Sequence, residues 1–268
     1  MEYIRRARKD SSLKAIVLRV DSPGGSATAS DVIWHELMRA KEEKADRPLV
    51  ASMSDLAASG GYYIAMAADA IVAQPSTLTG SIGIFGGKLV TGGLYQKLGA
   101  NIDSTSNGRN AEMESPARPF SPSEAVKVDE QLQTFYDQFI EKVAASRKKT
   151  PAEINRVAQG RVWTGQQAQQ NGLVDALGGL DRAVALARER ARIPADATVE
   201  LVVYPPKKSF FEVFSEQWGG GAEQTAISRW VADNLTPADR QALRALRGPL
   251  AHFRPGEMLT LMPYMLTR

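Results

Sequence analysis

Ser59 stands where a nucleophile could work in this 268-residue chain. It lies in DLAASGGYYIAMAAD (Asp55–Asp69), after small apolar residues and before two glycines and an aromatic, helix-like segment. Glycines at that point let a substrate carbonyl come close to the hydroxyl. The plainer reading makes Ser59 a helix N-cap and the glycines a turn. DSPGGS (Asp21–Ser26) supplies a complementary feature. Backbone N–H groups at a glycine turn between a strand and a helix can face a developing negative charge. A second hydroxyl, Ser81 in TLTGSIGI, sits between glycine and apolar residues. It suits either the orienting of a base or the closing of a turn.

A serine hydroxyl needs a base to become nucleophilic. Histidine is the usual one, and the chain has two, His35 and His252. His35 falls on a helix beside Trp34 and Glu36, where a solvated histidine is the ordinary outcome. His252 lies in the tail beside Phe253 and Arg254. The other usable base is a neutral lysine. Holding a lysine of pKa ~10.4 neutral at neutral pH costs roughly 4–5 kcal/mol. Burial against apolar side chains can supply that shift.

These groups need elements to hold them. LKAIVLRVDSPGG (Leu13–Gly25) reads as a buried strand ending at a Pro-Gly-Gly turn. Ala29–Lys44 has helical spacing, Arg47–Asp55 is a second strand, and Ser59–Ala70 a small-residue helix. Ala70–Thr77 is a third strand, Thr79–Gly87 a glycine-rich strand or turn, Gly92–Ala100 a helix and Asn101–Gly108 a strand. A polar loop leads to a long helix, Pro122–Lys149. A helix capped by Thr150 with Pro151 in its first turn follows and ends at Gly160, and Val162–Ala191 gives two more helices. Strands alternating with helices predict an α/β domain of largely parallel strands over residues 1–192, with a C-terminal extension over 193–268. The extension carries a Gly219–Gly221 break, a helix at Ala238–Gly248 and an apolar end, and reads as an appendage facing an assembly partner or a membrane.

Composition excludes several functions. There is no cysteine, so disulfides, thiol catalysis and Cys-ligated zinc are out, and two histidines give little to build a histidine metal site from. Net charge is +3, with bases scattered among acids as in AKEEKADR (Ala40–Arg47), which gives no nucleic-acid footprint. No apolar run reaches the roughly eighteen residues of a membrane span. The opening MEYIRRARKDSSLKAIVLRV lacks the apolar core of a signal peptide. It reaches a core strand so abruptly that the chain reads as part of something longer.

Four motifs in order, VLRVDSPGGSATAS, AASGGYYIA, STLTGSIGIFGG and GRVWTGQQAQQNGLVDALGGLDRAV, resemble the signal peptide peptidase A family of Ser-Lys peptidases. The resemblance runs from about Leu13 to Ala191 and implies a Clp protease/crotonase-like fold, a repeated ββα superhelix with mostly parallel strands. It implies that Ser59 is the nucleophile and that Ser81 hydrogen-bonds the catalytic lysine. It also implies that Gly24 and Gly25 form the oxyanion region, with the Gly60 N–H as a second donor. The activity implied is degradation of remnant signal peptides, without cofactor or metal. The protein would work at the bacterial inner membrane, facing the periplasm or the cell exterior, and be anchored by a segment outside this chain.

The general base is where the chain departs from that pattern. The short form of the family carries its lysine in the loop before the long helix. Here that loop, STSNGRNAEMESPARPFS (Ser104–Ser121), holds only Arg109 and Arg118, and Asn110 or Ala111 stands where the lysine is expected. Arginine cannot be deprotonated to serve. The long form has two homologous halves, the first supplying lysine and the second serine, and this chain looks like the second. Lys88 and Lys97 are the alternatives within the chain. The partners implied are apolar signal-peptide-like peptides, bound in a groove lined by residues such as Ile84, Phe85 and Tyr62, and either an upstream homologous half or identical subunits closing a ring. Two further readings stay open: a catalytically silent assembly half, and a crotonase-like acyl-CoA enzyme reusing the same oxyanion region.

Overall fold

The computed structural model describes residues 1–194, 196–206 and the backbone of 259–261. The helix expected at Ala238–Gly248, the Gly219–Gly221 break and His252 lie outside the described residues. Contacts group Met1–Thr198 with Pro255–Arg268 as one unit and Val199–Arg254 as another. Of the second unit the described part is residues 199–206, which expose Leu201, Val202 and Val203.

The first unit is built on one long strand. Helix α1 (Glu2–Lys9) precedes β1 (Ile16–Ser22), the short β2 (Gly24–Ser26) and α2 (Ala27–Glu43), which Ser26 caps by accepting from the Ala29 amide. Strand β3 (Leu49–Ala58) then crosses the core, with Leu49, Val50, Ala51 and Met53 at most 1% exposed. β1 runs parallel to it from Ile16↔Leu49 to Val20↔Met53, slips at a bulge, and resumes with Ser22 opposite Ala57. The other edge of β3 is shared. β4 (Ala70–Ala73) pairs with Val50–Ser52, and β5 (Leu78–Gly80) with Leu56–Ala58, both parallel. β6 (Val162–Thr164) adds to β5 antiparallel, and β7 (Ala176–Leu177) to β4 in parallel. The α/β class with mostly parallel strands is therefore the one expected.

Between β3 and β4 lies α3 (Gly60–Ala65), six residues long rather than the twelve-residue stretch read from the sequence. Its Tyr62 hydroxyl is buried and donates to the Leu173 carbonyl at 2.9 Å. Burial holds that phenol well above its usual pKa. Tyr62 is thus a core residue, not a groove residue as expected.

Three more elements differ from the sequence reading. β3 continues past Asp55 to Ala58, so strand geometry reaches the residue before Ser59. Asn101–Gly108 is not a strand; all its residues are exposed, and no neighbour buries either face. The stretch 162–191 yields β6 and β7 besides α7 (Gly165–Gln170) and α8 (Leu180–Arg190). Strands of two or three residues are too short to leave a period of two in the sequence.

The long helix α5 (Pro122–Arg147) begins at a capping box, in which Ser121 and Glu124 bond each other's backbone. Arg118 donates to both Glu124 oxygens at 2.7 and 2.8 Å. That pair, with the Ser121 amide, pulls the Glu124 carboxyl down to about 2. A depressed carboxyl stabilises the fold fully above its unfolded value near 4.5, and the contribution disappears as pH falls through 2. Glu124→Gln is therefore expected to lower Tm at neutral pH. The gap to the parent should close by about pH 2. Thermal unfolding across that range checks it.

Candidate active site

The shared edge of β3 brings the chemistry-bearing residues together. Ala58 of β3 and Gly80 of β5 are register partners, so Ser59 and Ser81 leave adjacent strand ends side by side. The Ser59 amide donates to the Gly80 carbonyl at 2.8 Å. On the opposite edge, Ser22 faces Ala57, which places Pro23, Gly24 and Gly25 beside the same strand end.

Ser59 itself is strained. Its φ is 55° and ψ −116°, a conformation non-glycine residues avoid and that costs on the order of 1–3 kcal/mol. Its carbonyl accepts from the Tyr63 amide, but its side chain makes no capping bond. The N-cap reading of the hydroxyl therefore fails. Ser59 is 0% exposed, and its Oγ is buried without a hydrogen-bond partner among the described residues. A buried polar group left unpaired costs about 1–3 kcal/mol. Strain and an unsatisfied hydroxyl at one residue are what a fold keeps for function rather than stability.

The first turn of α3 is pressed against the end of β1. A Cβ on Gly61 would lie 2.5 Å from the Ser22 carbonyl oxygen and 3.3 Å from its Cβ. Gly61→Ala is thus expected to push α3 off β1, lowering stability by about 1–3 kcal/mol and separating Ser59 from the Pro-Gly-Gly segment. Calorimetry and serine labelling on the same variant check both effects. In that segment Gly24 and Gly25 have φ of 104° and 151°. The Gly24 amide donates to Ser22 Oγ at 3.2 Å. Gly60 is buried at the start of α3.

Ser81, 1% exposed and also at positive φ (49°), donates its amide to the Arg161 carbonyl at 2.7 Å. It lines a groove of about 950 Å³ with Ile84, Phe85, Leu132, Tyr136 and Trp163. Ile84 and Phe85 are groove residues as expected. Ser59 is not among the residues that line it. Apolar walls with a few polar groups suit an extended apolar ligand.

The candidate bases do not reach Ser59. Lys88 donates to the Met113 carbonyl at 2.8 Å and lies 4.4 Å from the Phe120 ring centroid. Lys97 ends α4 (Gly92–Lys97) in solvent. The His35 side chain is 61% exposed and lies 3.5 Å from Asp31. None of them bonds Ser59 Oγ.

One cluster beside the site was not legible in the sequence. The Tyr63 hydroxyl donates to Asp31 at 2.7 Å and accepts from Lys142 Nζ at 2.9 Å, while Lys142 also pairs with Asp31 and stacks 4.2 Å from the Trp34 ring centroid. Burial opposes ionisation of Asp31, but the bonds from Lys142 and Tyr63 outweigh it and hold the carboxyl below its usual range. The cluster ties α3 to α2 and α5. Its members are far apart in sequence, and each alone reads as an ordinary helix residue.

The comparisons with known proteins decide the family. The profile of peptidase family S49 matches residues 41–194. The chain belongs to peptidase family S49. This S49 chain is 47% identical over 231 residues to the chloroplastic serine protease SPPA of Arabidopsis thaliana, covering 85% of this chain and 33% of that protein. It is 48% identical over 190 residues to Protease 4 of Salmonella typhi, covering 71% of this chain and 30% of that protein. An Enterococcus faecium protein bearing the name signal peptide peptidase SppA is 33% identical over 240 residues, covering 90% of this chain and 66% of that protein. The S49 chain thus spans about a third of the length of the first two relatives. Among its described residues no helix is long and apolar enough to cross a membrane.

Proposed function

We propose that this chain is the serine-bearing part of a Ser-Lys peptidase that hydrolyses apolar, extended peptides such as remnant signal peptides. The observation that carries the reading is the buried, unpartnered Ser59 hydroxyl on a strained strand-to-helix bend beside Ser81. A neutral lysine amine would take the Ser59 proton as Oγ attacks the scissile carbonyl, then pass it to the leaving amine. Water would reverse the sequence and free the acid. Amides of the Gly24–Gly25 and Gly60 segments are assigned to the oxyanion, and Ser81 to holding the amine.

The lysine is assigned to a homologous upstream half or to a neighbouring subunit. Two observations support this: the longer relatives, and the exposed apolar strip of Leu89, Leu94, Leu98 and Ile102, which an assembled neighbour would cover. The name of the Enterococcus faecium relative supports work on signal peptides; a place at a bacterial membrane, with the catalytic part facing the periplasm or the cell exterior, is part of the same proposal.

Fluorophosphonate labelling followed by peptide mapping tests the reading in the assembled protein. Label on Ser59 is the expected result, and no label on any serine overturns it. The orienting role of Ser81 is tested separately. Ser81→Ala is expected to lower turnover roughly 10–10³-fold, the scale of a positioned acid–base group, with Tm nearly unchanged. Equal turnover would return Ser81 to a turn residue.

A further inference from the structure

Helix α3 is too short to hold itself. It has six residues, and a helix of fewer than about twelve is marginal without tertiary contacts. It follows directly on the strained bend at Ser59. Strain of that kind persists only where the surroundings over-determine the conformation. The bend therefore needs a fixed point just inside the helix.

Tyr63 is placed to be that point. Its amide donates to the Ser59 carbonyl at 2.8 Å and closes the first turn on the bend itself. Its ring packs against Phe139 of α5, with centroids 4.7 Å apart. Its hydroxyl donates to Asp31 of α2 and accepts from Lys142 of α5. Burial, and then the bond to Asp31, hold the phenol well above its usual pKa, so the hydroxyl keeps the proton it donates. Lys142 also pairs with Asp31 and lies over the Trp34 ring. A hydroxyl bonded to charged groups on two different helices cannot shift without breaking a charge-assisted bond.

Those two helices lead to the rest of the site. α2 starts directly after the Gly24–Ser26 strand, and Ser30, next to Asp31, donates its hydroxyl to the Ser26 carbonyl at 2.9 Å. α5 starts directly after the Ser104–Ser121 loop. Through Tyr63, the Asp31–Lys142 pair ties the helix behind Ser59 to the helix behind the Gly24–Gly25 amides.

We infer that Tyr63, clamped by Asp31 and Lys142, is a positioning residue that holds Ser59 in register with the Gly24–Gly25 segment. This rests on the reading of Ser59 as the nucleophile. A displacement of about 1 Å at a reacting atom costs on the order of 10²-fold in rate. Loss of the clamp therefore shows in kcat rather than in KM.

Tyr63→Phe tests this, because it keeps the ring against Phe139 and removes only the hydroxyl. The assembled protein is assayed on an apolar fluorogenic peptide at a temperature where every variant is folded. Tyr63→Phe is expected to lower kcat about 10–10²-fold with KM unchanged. The pair Asp31→Asn with Lys142→Met is expected to lose a similar factor. Adding Tyr63→Phe to that pair should cost little more, because all three residues act through one clamp. Hydrogen exchange at the residue-63 amide, which reports its bond to the Ser59 carbonyl, is expected to speed up in each variant. Arg47→Met gives the structural baseline. It removes bonds to the Ala7, Arg8 and Asp10 carbonyls at the other end of β3, and is expected to lower Tm with kcat unchanged. A kcat loss in Arg47→Met as large as that in Tyr63→Phe overturns the positioning role, and strict additivity of the three changes does the same. Unchanged exchange at residue 63 overturns the clamp on the bend. No fluorophosphonate-labelled serine in the parent defeats the nucleophile reading and the positioning role with it. Label on Ser59 with unchanged kcat in Tyr63→Phe defeats the positioning role alone.

Discussion

Ser59→Ala is expected to abolish fluorophosphonate labelling and to cut hydrolysis of apolar peptides by about 10⁴–10⁶-fold, leaving only binding and oxyanion contributions. The same change should not cost stability through hydrogen bonding, because Ser59 Oγ has no partner to lose among the described residues. Ser59→Gly goes further. Glycine adopts a φ of 55° without the Cβ penalty, so it should raise Tm while being equally inactive. The two variants together separate catalysis from folding. Normal hydrolysis by either one would end the nucleophile assignment. A large loss of Tm in both would make Ser59 a structural residue instead.

The second large effect concerns the base. The isolated chain is expected to hydrolyse a signal-peptide-like fluorogenic substrate several orders of magnitude more slowly than the chain supplied with a lysine-bearing half. The motive is specific. There is no lysine between Lys97 and Lys127, Lys88 is held by the Met113 carbonyl, and Lys97 points into solvent. Arg118, inside the loop where a lysine is expected, is spent on Glu124. Assays of the purified chain with and without the upstream half decide the matter. Full activity from this chain alone would sink the split site and direct attention to Lys88→Ala and Lys97→Ala.

Much of this site could be read before any fold was known, for a physical reason. Ser59, Ser81 and the Pro-Gly-Gly turn each sit at the end of a strand, and glycine beside a hydroxyl marks such ends locally. The capped start of α6 (Pro151–Val157) was legible for the same reason, since a capping box lies within four residues. What could not be read depended on distance. The Asp31–Tyr63–Lys142 cluster, the core place of Tyr62 against Leu173, and the pairing of Gly24–Ser26 with Leu259–Leu261 join residues that no short window holds together. The expected strand at Asn101–Gly108 failed from the opposite cause. Its one apolar residue, Ile102, stays exposed, and no described neighbour pairs with it.

The sharing of one edge of β3 between β4 and β5 has a consequence for motion. Residues 50–52 are clamped by β1 on one side and β4 on the other. Residues 56–58 are held by the three-residue β5 and by β1 only past its bulge. A single strand therefore carries two different opening energies, high in its first half and lower where it delivers Ser59. Local opening at the Ser59 end, which the proposed admission of a peptide would need, therefore does not have to become unfolding of the domain.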